Sequence, residues 1–159
     1  MTRVKAAVCH AFGEDLRVED IDLRAPGQGE VEVRLDAVAI CHSDISFIDG
    51  GWGGDLPAVY GHEAAGRIAS VGPGVSAYSV GQKVLVTLIK SCGACSTCAS
   101  GAPVYCSGNA PVEPAIRLAD GTTATKAMEC GAFAEAVVVH QSQLAALPDD
   151  IPSDVASLL

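Results

Sequence analysis

Aromatic side chains make up only 4% of this 159-residue sequence, and no apolar run approaches the ~20 residues needed to cross a bilayer. Small residues are plentiful instead, and Gly (17) and Pro (8) recur every few positions, which suits many short strands joined by turns. Basic residues are also few. Ten Lys and Arg stand against 19 Asp and Glu, a formal charge of -9, which excludes nucleic acid or an anionic membrane as the main partner. An acidic surface can steer cationic ligands, but solubility alone accounts for it. The N-terminus, Met-Thr-Arg-Val-Lys-Ala-Ala-Val, carries no signal-peptide apolar region and no cleavage site. With no export signal, seven cysteines, an odd number, point to metal ligands in a reducing compartment rather than to disulfides. A cytoplasmic location is expected. The length fits one domain with a core that needs no disulfide staples.

Hydrophobic alternation predicts strands over 4–9, 16–23, 30–39, 64–71, 82–88, 133–139 and 143–147. In residues 30–39 it puts Val31, Val33, Leu35, Ala37 and Ala39 on one face and Glu32, Arg34 and Asp36 on the other, the pattern of a half-buried strand. Asp49 to Gly54 can only be a loop. Residues 89–132 show little periodicity and read as an irregular lobe that something other than an apolar core must hold. Almost no helix is expected before residue 150. Beyond Pro148, acidic and capping residues precede Val155-Ala156-Ser157-Leu158-Leu159, which reads as a helix start and as the cut edge of a longer protein. The fold expected is mainly β, a barrel with an irregular lobe.

Two constellations carry chemistry. Cys92, Cys95, Cys98 and Cys106 form Cys-x2-Cys-x2-Cys-x7-Cys, with Gly93 and Gly101 to turn the chain around one ion. Zn²⁺ prefers tetrahedral thiolate coordination, so a structural zinc site fits best. An iron–sulfur cluster also takes four thiolates, though the run lacks a fourth Cys three residues on and the Pro after it. A thioredoxin-like pair would need a single Cys-x-x-Cys at a helix start. The second constellation is Cys41-His42-Ser43-Asp44 with Gly61-His62-Glu63, about twenty residues on. A thiolate, an imidazole and nearby carboxylates suit a zinc that keeps one position open. For His62 alone, a satisfied polar histidine would be the better reading; its neighbours favour the metal.

Gly61-His62-Glu63-Ala64-Ala65-Gly66, with Gly72 and Val75 beyond, resembles the signature of zinc-dependent medium-chain alcohol dehydrogenases. Cys41 to Asp44 and the four-cysteine lobe are similar to that family in order and spacing. The resemblance spans nearly the whole chain as its GroES-like catalytic domain, a partly open β-barrel. It implies a GroES-like zinc-binding domain over 1–150 and, over 151–159, the start of a crossover to an absent Rossmann domain. Cys41 and His62 would be ligands of the catalytic zinc, with Glu63 beside the metal and Asp44 orienting the His62 ring. Ser43 would take the alcohol proton, and His42 would touch the cofactor's phosphate. Cys92, Cys95, Cys98 and Cys106 would bind the structural zinc. Leu88 falls at a substrate-pocket position. Trp52 either joins it or packs as a loop aromatic.

The implied activity is oxidation of alcohols, or reduction of aldehydes or ketones, with NAD or NADP. The implied partners are a small alcohol or aldehyde and a further copy of the protein, met through the cofactor domain. Two departures stand out. Ser46 occupies the place of a relay histidine, and the third cysteine ligand is expected just past residue 159. A stand-alone zinc-binding fold without catalysis is therefore the alternative. Gly72-Pro73-Gly74-Val75-Ser76-Ala77 mimics a dinucleotide fingerprint but reads as a turn. Cys9 is expected as a small buried hydrophobe, Cys130 as a loop thiol, and His10 and His140 as surface residues.

Overall fold

The computed structural model describes residues 1–108 and 113–159. The strands are β1 (Thr2–Cys9), β2 (Arg17–Leu23), β3 (Glu30–Ala39), β4 (Ala58–Val59), β5 (Glu63–Val71) and β6 (Lys83–Val86). They continue with β7 (Ile116–Leu118), β8 (Thr123–Lys126), β9 (Ala136–His140) and β10 (Leu144–Ala146). Three short helices interrupt them: α1 (His42–Ile48), α2 (Ser96–Ala99) and α3 (Ser153–Ala156). Strands β1-β2-β7-β8-β4 form a closed ring, and β10-β6-β5-β3-β9 form an open five-stranded sheet beside it. The two-residue β4 closes the ring by pairing antiparallel to β1 and parallel to β8. Aliphatic side chains fill two cores. One gathers Val4, Val8, Ile21, Leu23, Val59 and Ile116, and the other Val31, Val33, Ile68, Val84, Val137 and Val139.

The structure corrects three expectations. Residues 89–132 are not wholly irregular, since β7 and β8 lie within them. These strands are three and four residues long, too short to show a period, and pairing with β2 and with each other holds them. Residues 109–112 of that stretch lie outside the described residues. Helix also appears before residue 150, most fully as α1. Finally, β3 is buried on both faces over its first half. Glu32, expected on the polar face, is 7% exposed, as is Glu30 at the start of the strand, because β3 runs between β5 and β9. Glu32 accepts from the Thr2 and Ser70 hydroxyls at 3.2 Å each.

Glu30 is held by Arg24 Nη2 at 2.8 Å and by the Gly27 N–H at 2.7 Å. Burial pushes its carboxyl up, but the Arg24 and Gly27 hydrogen bonds outweigh this and hold it below the usual carboxylate range. A depressed folded value stabilises the protein above the ordinary pKa of ~4.3, and that stabilisation disappears as pH falls through the folded value. Arg24→Met should therefore cost about 3 kcal/mol near neutrality, by leaving a buried carboxylate unpaired. It should also flatten the acid limb of the stability curve below about pH 4, as read by urea unfolding across pH.

Where β3 meets β5 the register shifts between Leu35 and Ala37, a bulge. Gly66 sits opposite it. A Cβ there would lie 2.1 Å from the Arg34 carbonyl oxygen, a backbone atom with nowhere to go. Gly66→Ala should lower the unfolding free energy by about 3 kcal/mol or more, read from the denaturant midpoint.

Candidate metal centre

The first cluster forms where α1 begins. Asp44 is the third residue of α1 and is fully buried. Its Oδ2 accepts the Cys41 N–H at 3.1 Å, the reach-back that starts a helix from its third position. Its Oδ1 accepts the Gly61 N–H at 3.0 Å and faces His62 Nδ1 at 3.2 Å. One carboxylate thus joins the helix start to the turn entering β5. Because a carboxylate only accepts, His62 carries its proton on Nδ1 and presents the Nε2 lone pair on the other side of the ring.

That lone pair faces Cys41 and Glu63. One donor atom each from Cys41, His62 and Glu63 lies within 4.8 Å of the others. His62 Nε2 and Glu63 Oε1 are 3.6 Å apart, too far for a hydrogen bond. Two N or O ligands on a tetrahedral zinc with ~2.0–2.1 Å bonds sit about 3.3 Å apart, so a small relaxation accommodates the ion. The donor set, one sulfur, one imidazole nitrogen and one carboxylate, is borderline-soft chemistry that zinc satisfies. His42, first in α1, is exposed, and Ser43 is half-buried beside it. Ser46 donates its hydroxyl to the His42 carbonyl at 3.2 Å.

A cavity of about 210 Å³ opens at His62 and Glu63, walled by Leu85, Thr87, Leu88 and Ile89 and closed on one side by Ser157 and Leu159. Leu88, expected at a substrate-pocket position, is thus part of the wall of this cavity. Leu85, Thr87 and Ile89 went unnoticed, since nothing in their spacing marks them. Trp52 does not line this cavity. It is 61% exposed and packs edge-on against Phe47, ring centroids 4.9 Å apart.

The second cluster is the four-cysteine lobe. Sulfurs of Cys92, Cys95, Cys98 and Cys106 all lie within 4.8 Å of one another. Cys95 and Cys106 are 3.8 Å apart, the edge length of a tetrahedron with ~2.3 Å zinc–sulfur bonds. Gly93 and Gly101 turn the chain at φ +73° and +85°. Backbone N–H groups of Cys92 and Gly108 point at Cys106 Sγ, and that of Cys95 at Cys92 Sγ. Such donors favour thiolates. The Thr97 hydroxyl, foremost, holds Cys95 down to about 4, whereas desolvation pushes Cys98 up to about 12. None of the described residues between 87 and 114 is buried, so no apolar core supports the lobe. The residues fit a zinc ion at both clusters.

The remaining cysteines and histidines differ in part from expectation. Cys9 is buried, as read. Cys130 lies in a turn, as read, but is fully buried there and donates to the Thr87 carbonyl at 3.1 Å. His10 pairs with Glu19 at 2.6 Å, and His140 caps a 3₁₀ turn by accepting the Ser142 N–H; both are part-buried. Glu19 comes from the paired strand β2, whereas Ser142 lies two residues along in the turn that His140 itself caps. Gly72 to Ser76 is a turn, with the Pro73 carbonyl accepting from Gly29 N–H at 2.8 Å. No described helix is long and apolar enough to cross a membrane.

Comparison with known proteins agrees with this geometry. The chain is 34% identical to an NDMA-dependent alcohol dehydrogenase of Amycolatopsis methanolica, over 99% of the chain and 44% of that protein. It is 32% identical to an S-(hydroxymethyl)glutathione dehydrogenase of Komagataella pastoris, with the same coverage. Among solved structures, an alcohol dehydrogenase zinc-binding domain protein from Burkholderia ambifaria superposes with a TM-score of 0.88 at 32% identity, covering 96% of this chain and 44% of that one. The chain thus spans less than half the length of these relatives. Residues 27–149 match the family of alcohol dehydrogenase GroES-like domains, and the chain belongs to that family.

Proposed function

We propose that this chain is the zinc-holding catalytic domain of an alcohol dehydrogenase, which oxidises an alcohol, or reduces an aldehyde or ketone, with NAD or NADP. The observation that carries the reading is the meeting of Cys41, His62 and Glu63, the last two lining one cavity, with Asp44 fixing the His62 ring. We place the zinc-binding catalytic domain at 1–150 and read 151–159, where α3 begins, as the start of a crossover to a Rossmann domain. The third cysteine ligand and the nicotinamide site would lie outside residues 1–159, so this stretch alone would bind zinc without turnover. A cytoplasmic homo-oligomer fits the same reading.

A zinc ion held by Cys41 and His62 would supply Lewis-acid polarisation of the substrate oxygen. The protein's own groups would do the rest. Asp44 keeps the Nε2 lone pair of His62 aimed at the cavity. Ser43, on the first turn of α1, would take the proton of the substrate hydroxyl. Ser46 cannot act as a basic relay, so that proton would pass from Ser43 to water. Leu85, Leu88 and Ile89 would give the substrate's carbon chain an apolar wall to lie against. His42, exposed at the start of α1, would meet the cofactor's phosphate. Cys92, Cys95, Cys98 and Cys106 would hold the structural zinc.

The test uses the full-length, zinc-loaded enzyme with a panel of alcohols and both nicotinamides, following nicotinamide absorbance. Alcohol-dependent reduction of one cofactor is expected. Ser43→Ala should lower kcat by about 10²- to 10⁴-fold, the range for a lost proton-transfer group. Turnover of neither alcohols nor aldehydes and ketones by zinc-replete enzyme, with either cofactor, would sink the proposal.

A further inference from the structure

Gln143 is 1% exposed, just ahead of β10, and takes no part in the chemistry proposed above. Its carboxamide bonds three backbone groups from three different segments. Nε2 donates to the Thr87 carbonyl at 3.0 Å and to the Glu129 carbonyl at 3.1 Å, while Oε1 accepts the His140 N–H at 3.1 Å. The Gln143 carbonyl in turn accepts the Thr87 N–H at 2.8 Å. Cys130 adds a second donor to the Thr87 carbonyl. Burial pushes that thiol up to about 12, so it stays protonated and donating at neutral pH.

Thr87 is the first residue past the end of β6, where sheet pairing stops. From there Thr87, Leu88 and Ile89 form one wall of the cavity at His62 and Glu63. The wall therefore takes its position from whatever grips its base. Gln143 and Cys130 grip it. Gln143 also secures a strained neighbour, since Met128 (φ 51°) and Glu129 (φ 58°) both lie in the left-handed region that side chains disfavour. The Glu129 carboxylate reaches Lys90 Nζ at 3.2 Å, just beyond the wall. One buried amide thus links the wall, a strained turn and the capped turn at His140.

We propose that Gln143 is a positioning residue: it fixes the Thr87–Ile89 wall and so sets the size of alcohol the cavity admits. This rests on the alcohol dehydrogenase reading, and the experiment separates the two. Gln143→Met keeps length and approximate volume but removes all three bonds to the backbone and the 3.6 Å contact of Nε2 with Cys130 Sγ. In the full-length zinc-loaded enzyme, kcat/KM for a branched or longer alcohol relative to ethanol should shift by about fivefold or more. The shift should fall in KM rather than kcat, run in the same direction as for Leu88→Ala, and leave zinc content unchanged.

Independently of activity, hydrogen exchange in residues 87–91 should quicken by about tenfold or more, with β1 and β2 unaffected. Unchanged exchange overturns the positioning role, and faster exchange with unchanged selectivity reduces Gln143 to a structural part and overturns the specificity role. A wild-type enzyme inactive on every alcohol sinks the activity reading, and exchange alone then judges whether Gln143 holds the wall. Should Gln143→Met not fold, Cys130→Ala removes only one bond to Thr87 and carries both readouts, with a smaller shift in the same direction expected.

Discussion

Stripping zinc from the protein with a strong chelator is expected to unfold the four-cysteine lobe while both sheets stay folded. The lobe buries none of its described residues, and its backbone bonds join near neighbours, such as Ala99 N–H to Cys95 O and Cys106 N–H to Pro103 O. Its ties to the sheets near its start are few: Ser91 N–H to Ser142 Oγ, and Lys90 to Glu129. Structural zinc is worth ~10–16 kcal/mol in small peptides, whereas a handful of exposed hydrogen bonds nets about 1 kcal/mol each. The metal dominates. Limited proteolysis should show new cleavage between Ser91 and Cys106 after chelation, reversed by added zinc. Cys95→Ala should cleave at the same places without chelator and carry one zinc fewer. A lobe that resists protease equally well without metal would refute this account.

Replacing Asp44 with alanine is the second large effect. The substitution strands the Gly61 N–H and the Nδ1–H of His62 away from solvent, and the part-buried Cys41 N–H with them. At ~1–3 kcal/mol for each unsatisfied buried donor, the loss should be about 3–6 kcal/mol. That is a large part of the ~5–15 kcal/mol a domain has. Asp44→Asn keeps the shape and one acceptor and should recover about half, since its NH₂ must face a donor. Urea unfolding measures both. The same variants should lower zinc bound at Cys41 and His62 while the lobe keeps its ion, because a free ring no longer aims Nε2. An Asp44→Ala midpoint within about 1 kcal/mol of the unsubstituted protein would remove Asp44 from this role.

How much of this was legible in the sequence depended on whether the determining interactions were local. Strand β3 was read to the residue because Val31, Val33 and the charged positions alternate over a long run. Its burial does not follow from the pattern, since Glu30 pairs with Arg24 and Glu32 accepts from the Thr2 and Ser70 hydroxyls, partners that alternation does not encode. Helix α1 hid inside the motif that drew attention to it. Its Asp44 in the first turn is a readable start signal, but Cys41 at the N-cap is not a usual capping residue. The cysteines and Gly61-His62-Glu63 were found because ligand spacing is local, and the fold then brought each set together. The cavity wall and Gln143 were invisible for the opposite reason: their bonds join segments 14 and 56 residues apart.

The place of β3 between β5 and β9 also matters before the protein is finished. Strand β9 ends at His140, about 100 residues after β3, and ribosomes add roughly 5–20 residues per second. One edge of a valine-rich strand therefore waits on the order of 5–20 seconds for its partner during synthesis. In that interval Glu30 and Glu32 are not yet tucked away. Their charges sit on the open edge and discourage pairing with a neighbouring nascent chain. The two carboxylates that the finished fold must bury would then be guardians of the unfinished one.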